Sequence, residues 1–199
     1  MFAAFLLLAI NYNSAYNDLK NRNESLEHER AALSGLVNRL IFERSELIKE
    51  IYTIELIEYD MAEKTPSIWP VEGRISSPFG TRRTPYRRGQ YQFHTGIDIV
   101  GRYGDEIRAT AGGVVIHAAT SGTFGKKIVI DHGYGYTTHY AHLCTYEVTA
   151  GDVVEKGQII GGMGRTGRTT GVHLHYEVRL YEYPVDPIEY MGCGTWQSN

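Results

Sequence analysis

Cysteine is scarce in this chain. Two thiols in 199 residues, Cys144 and Cys193, are too few for a disulfide framework, and their spacing fits no zinc cluster. They could pair in an oxidising compartment or be two unrelated thiols. Positive charge is not in excess either. Twenty Lys and Arg stand against 23 Asp and Glu, a net charge of -3, which argues against nucleic acid as the main partner. No apolar run is long enough to cross a bilayer. Phe2–Ile10 is continuously apolar but only nine residues long, where about 20 are needed. No basic residue precedes it, as a secretory signal would normally require. Asn11–Asn17 turns abruptly polar. We therefore expect the true start to lie upstream, with residues 1–13 the end of a signal peptide or membrane anchor. The alternative is a short apolar helix end that packs on something.

Proline is absent from Ser14–Lys64, and Gly35 is the one glycine there. Charged residues are dense. Leu19, Leu26, Leu33, Leu40, Leu47, Ile54 and Met61 recur every seven residues, the repeat of a coiled-coil seam. The companion positions are mixed: Leu36, Val37, Ile51 and Ile57 are apolar, whereas Arg22, Asn23, Glu29 and Arg30 are not. The pattern predicts a helix over 14–64, on the order of 70 Å long. It would pair in a homodimer or against a partner helix, the alternative being a single exposed helix. Thr65-Pro66 should end it, because the residue before proline disfavours helix.

After Pro66 the pattern changes. With 22 glycines and 15 tyrosines in the chain, short apolar runs now alternate with glycine turns. Strands are expected near 74–76, 96–100, 106–109, 113–119, 127–132, 136–143, 159–162 and 173–180. Their short connections predict hairpins and a mainly antiparallel sheet. Residues 65–199 should form an all-β sandwich or partly open barrel.

Three segments of this half carry chemistry. In His173-Leu174-His175-Tyr176-Glu177-Val178, strand alternation puts both histidines and Glu177 on one face. In His94-Thr95-Gly96-Ile97-Asp98, His94 and Asp98 share a face, a donor pair suited to zinc. Gly96 between them should leave room for a metal or substrate. In His139-Tyr140-Ala141-His142, alternation pairs His142 with Tyr140 and points His139 away. Three protein ligands leave a catalytic zinc an open position. One Asp and up to four His therefore leave two histidines over for proton transfer and charge stabilisation.

From Trp69 to about Tyr190 the chain resembles the lysostaphin-type (LytM-like) zinc metallopeptidases, which cut peptide cross-links in bacterial cell walls. The resemblance rests on Trp69-Pro70, Gly73-Arg74-Ile75-Ser76-Ser77-Pro78-Phe79-Gly80, His94-Thr95-Gly96-Ile97-Asp98, Tyr140-Ala141-His142-Leu143 and Thr170-Gly171-Val172-His173-Leu174-His175. It implies that His94, Asp98 and His175 bind one zinc ion and that His142 and His173 assist catalysis. It also implies peptidoglycan as substrate and a location in the periplasm or cell envelope. His139 stands where the family usually has an apolar residue and is given no role. Val172 replaces a common proline. Some relatives have lost ligands and only activate other wall enzymes, but this chain keeps all five residues.

His28, His117 and His132 are expected to be solvated or structural. The run Arg82-Arg83…Arg87-Arg88 is either a solvated loop or a cover over the cleft that attracts anionic polymer. Two rivals remain. Ala150–Ile160 resembles a hairpin of biotinyl or lipoyl carrier domains, although no modifiable lysine with its flanking motif is found at a tip. The β domain could also be a non-hydrolytic activator or binding module that uses the coiled coil.

Overall fold

The computed structural model describes residues 2–84 and 89–192. Helix α1 runs without a break from Phe2 to Lys64, so the apolar segment and the heptad stretch are one element. None of its side chains is buried, the heptad leucines included. Among the described residues no helix is long and apolar enough to cross a membrane.

The chain divides into two compact units, 1–56 and 57–199. The last two turns of α1 therefore belong with the β domain. The final carbonyls of a helix have no partner within it, and here the β domain supplies donors. The Gly112 N–H donates to the Glu63 carbonyl at 3.0 Å. Lys156 Nζ donates to the Ala62 carbonyl at 2.9 Å, and the Tyr134 hydroxyl donates to Asp60 at 2.8 Å. Lys156, the lysine of the carrier-like hairpin, is thus engaged in structure.

Twelve strands follow among the described residues: β1 (Arg74–Ser77), β2 (Gly80–Arg83), β3 (Tyr91–His94), β4 (Ile97–Val100), β5 (Glu106–Arg108), β6 (Gly113–Thr120), β7 (Lys126–Gly133), β8 (Tyr136–Tyr146), β9 (Val153–Val154), β10 (Ile159–Met163), β11 (His173–Leu180) and β12 (Tyr183–Val185). All eight expected strands are present. The β2–β3 hairpin and the short β9 and β12 were not legible in the sequence. The main sheet runs β1-β4-β11-β8-β7-β6-β9, with β12 on β11 and β10 joining β5 and β8. Among the described residues every pairing in it is antiparallel.

Alternation on β11 buries Leu174, Tyr176 and Val178 completely. They pack with Ile97 and Ile99 of β4, Ile128 and Ile130 of β7, and Ile160 of β10. Burial of this kind contributes roughly 25 cal/mol per Å² of apolar surface. The opposite face of β11 is left for polar side chains. Cys144 is a free, half-buried thiol, and Cys193 lies outside the described residues.

Candidate metal centre

Strand β11 lies between β4 and β8, and its register puts His175 directly opposite Asp98 on one side and Ala141 on the other. Facing residues of an antiparallel pair have side chains within contact distance. His94 comes from β3, in the separate two-stranded sheet, and enters through the turn Thr95-Gly96. The pair four apart is therefore not on one strand, as expected, but on two strands that flank a turn. Gly96 has a different purpose from the one expected. A Cβ there would collide with the Tyr176 carbonyl and lie 2.9 Å from Glu177 Cγ. The glycine admits the backbone of β11, not a ligand.

The three donors converge. His94 Nε2 is 3.1 Å from Asp98 Oδ1 and 3.0 Å from His175 Nδ1, and His175 Nδ1 is 2.9 Å from Asp98 Oδ1. All three residues are buried, with 4%, 8% and 5% exposure for His94, Asp98 and His175. The other nitrogen of each imidazole faces an acceptor. His94 Nδ1 donates to the Pro78 carbonyl at 2.8 Å, and His175 Nε2 donates to Glu177 Oε1 at 3.0 Å. A neutral imidazole has one N–H. With those protons committed outward, two nitrogen lone pairs and a carboxylate oxygen point at one another. Such a group is stable only around a positive charge. Burial works to raise the Asp98 carboxyl, but hydrogen bonds with His175 and His94 outweigh it and hold Asp98 well below the usual carboxylate range. Burial likewise works to lower His175, yet its bonds to Asp98 and Glu177 raise it. The donor set, two imidazoles and one carboxylate, fits a divalent metal such as zinc.

His142 and His173 stand beside this group. Their rings are 4.8 Å apart, and His142 is 6.1 Å from the ring of His175. His173 Nε2 is 3.7 Å from Asp98 Oδ1. His142 Nδ1 donates to the Thr166 carbonyl at 2.8 Å, and His173 Nδ1 lies 3.1 Å from the Gly171 carbonyl. Each Nε2 is therefore a free lone pair facing the site. Burial lowers both, His142 to about 4, so both imidazoles are neutral at pH 7.

The simple alternation expected for β8 is broken. His142 has φ 62°, a left-handed conformation rare for a side-chain-bearing residue. The pairing with β7 slips by one residue between Tyr140 and Leu143, a β-bulge that re-aims a side chain. His142 consequently turns to the site. Tyr140 goes into the core, fully buried against Tyr176 at 5.3 Å between rings, and cannot touch a substrate. His139 does not point away from the site. It faces Glu177 across β11, with Nδ1 3.2 Å from Glu177 Oε2, but off the line of a well-formed hydrogen bond. Its pKa is lowered by burial.

Arg82 resolves in part the two readings of the basic run. Its Nη1 donates to Asp98 Oδ2 at 2.8 Å and also to the Ser77 hydroxyl, so it braces the carboxylate from within. Arg83 lines the cleft; Arg87 and Arg88 lie outside the described residues. His28 is exposed, His117 half-buried and His132 buried in β7. The site opens into a cleft of about 720 Å³, walled by Phe93, Phe124, Arg168 and Thr170 among others. Sequence reasoning gave no site role to Glu177 or to the carbonyl of Thr166, and placed Arg82 in a basic run without pairing it to Asp98. Glu177 left a signal in the β11 alternation and Arg82 in that run; Thr166 left none.

Residues 92–187 match the model of peptidase family M23. DD-carboxypeptidase/endopeptidase Mpg of Neisseria meningitidis is 44% identical over 115 residues, which are 58% of this chain and 26% of that protein. Peptidoglycan DD-endopeptidase ShyA of Vibrio cholerae is 36% identical over 132 residues, 65% of this chain and 31% of that protein. This chain thus spans about a quarter to a third of the length of these relatives. Among solved structures, a zinc-containing peptidase from Vibrio cholerae aligns with a TM-score of 0.59 and 36% identity, over 63% of this chain and 40% of that one. The catalytic domain of lysostaphin from Staphylococcus simulans aligns with a TM-score of 0.54 and 27% identity, over 59% and 91%.

Proposed function

Because this chain carries a peptidase family M23 domain, we propose that it hydrolyses peptide bonds in the cross-links of bacterial peptidoglycan, with one zinc ion held by His94, Asp98 and His175. The observation that carries the reading is the donor triangle: three atoms within 3.1 Å of one another, with both imidazole N–H groups tied outward. A relative named as a peptidoglycan DD-endopeptidase and a neighbour described as zinc-containing support it.

Bound there, zinc would supply Lewis acidity and lower the pKa of a water toward about 7. The chain's own residues do the rest. Arg82 and the two ligand imidazoles fix the Asp98 carboxylate. His142 and His173, neutral and with Nε2 directed into the cleft, are the groups that take a proton from the attacking water and return one to the leaving amine. The imidazolium formed on either one stabilises the negative charge that develops on the scissile carbonyl oxygen. The Phe93 and Phe124 rings and the threonines of the cleft wall hold the peptide in an extended path past these groups.

The long heptad helix serves as a self-pairing or partner-binding stalk. Its exposed leucines support this reading, because helices of this pattern gain stability by pairing. The chain works outside the cytoplasm, in the periplasm or cell envelope, where its substrate lies, anchored through its N-terminal side.

The test is metal analysis of the purified protein together with digestion of isolated peptidoglycan and mass identification of the fragments. Stoichiometric zinc and new amine termini within the cross-link peptides are expected. His94→Ala, Asp98→Ala and His175→Ala should each lose zinc while keeping the β fold. A metal-loaded protein that releases no fragments would support the non-hydrolytic activator instead.

A further inference from the structure

Glu177 is a carboxylate with no exposed surface, next to the proposed metal ligands but not among them. Burying a charge is costly unless it is fully bonded, and Glu177 has four hydrogen bonds. Oε1 accepts from His175 Nε2 at 3.0 Å and from the Thr95 hydroxyl at 2.5 Å. Oε2 accepts from Arg179 Nε at 2.8 Å and Arg179 Nη2 at 2.6 Å. The two oxygens therefore have different tasks. Arg179 pins one with a two-bond fork, and the other is held still beneath His175.

We propose that Glu177 is a positioning residue that sets the tautomer of His175, with Arg179 as its anchor. By accepting the Nε2 proton it keeps the Nδ1 lone pair aimed at His94 and Asp98. The inference rests on the reading of His175 as a metal ligand. It assigns the loading of the site to a carboxylate that never touches the ion.

Glu177→Gln makes the claim sharp. An amide has one oxygen, and the charged fork of Arg179 competes for it with two donors. The amide NH2 then faces His175 Nε2, which must accept, and the ring proton moves to Nδ1. Zinc affinity, measured by competition with a chromophoric chelator, should fall about 100-fold, the upper range for partners of ligand histidines. In the metal-free protein at alkaline pH, nitrogen NMR should show His175 changing from the Nε2–H to the Nδ1–H form. His94, held by the Pro78 carbonyl, should not change, and a general loosening of the fold would not spare it. Adding Arg179→Met releases the amide to turn its oxygen back to His175 and should recover part of the zinc affinity. If Glu177→Gln does not fold, Arg179→Met alone carries the test: Glu177 loses its anchor, and zinc should bind about threefold more weakly, the worth of one hydrogen bond. A folded Glu177→Gln with parental zinc affinity and an unchanged His175 tautomer overturns the proposal, as does parental affinity in Arg179→Met. Neither readout uses peptidoglycan, so failure of the proposed hydrolysis is seen separately. A wild-type protein that binds no zinc removes the metal reading, while the metal-free tautomer still reports on Glu177.

Discussion

Tyr140→Phe tests the β8 geometry with the loss of a single atom. The Tyr140 hydroxyl lies 3.0 Å from the Thr110 N–H, 3.0 Å from Thr110 Oγ1 and 3.0 Å from Thr138 Oγ1. Its network continues through Thr110 to the Tyr176 hydroxyl at 2.9 Å and through Thr138 to His132 Nε2 at 2.7 Å. His132 Nδ1 faces the Gly112 carbonyl at 2.9 Å, so it must hold the proton, and Nε2 must accept from Thr138. Thr138 then has only its lone pairs left for Tyr140, and Tyr140 donates to it. Thr110 and Thr138 have no exposed surface, so water cannot replace the missing oxygen. The Thr110 N–H is orphaned at a cost of about 1–3 kcal/mol, and the bond to Thr138 is lost at about 1 kcal/mol. The total is about 2–4 kcal/mol, or about 6–12 °C in Tm for a domain of this size at roughly 3 °C per kcal/mol. Thermal unfolding of the full chain, followed by circular dichroism, reads the shift. Zinc content and peptidoglycan cleavage below the transition should stay near parental. A variant with parental Tm and impaired cleavage would show the hydroxyl in the cleft and refute the bulge at His142.

The same network gives stability a pH dependence. Burial lowers the His132 pKa from 6.5 to about 4, so between those values the unfolded chain binds the proton and the folded one does not. Stability therefore falls as pH drops from 6.5 to 4, by about 3 kcal/mol from this group. His132→Gln, whose amide offers a donor and an acceptor, should narrow its gap to the parent across that window in urea unfolding; parallel curves would contradict the assignment. His142→Ala and His173→Ala should retain zinc and lose turnover by roughly 10²–10⁴-fold, measured as zinc content and cleavage rate together. Loss of zinc in both would make them ligands.

The sequence was most informative where the backbone is regular. On β11, alternation correctly separated Leu174, Tyr176 and Val178 in the core from His173, His175 and Glu177 on the site face. It failed on β8. No glycine or asparagine marks the left-handed residue there; the conformation falls on His142 itself, held by the Thr166 carbonyl from a distant loop. Local pattern cannot contain a constraint supplied 24 residues away. Gly96 was visible as a need for space, but what fills that space depends on the pairing of β4 with β11. Arg82 reads as one of several surface arginines until the β2–β3 hairpin brings it to Asp98.

The spacing of the donors has a consequence for the order of events during folding. His94 and His175 are 81 residues apart, and Asp98 and His175 are 77 apart. They meet only through the β4–β11 pairing, a contact of high sequence separation that forms slowly. Compact zinc modules with closely spaced ligands are organised by the ion itself. Of the three proposed ligands only His94 and Asp98 are close together on the nascent chain. On that spacing the sheet would close first, on its own apolar core, and a metal ion would enter afterwards through the open cleft. Cofactor supply would then govern activation of a finished protein and not the yield of folding.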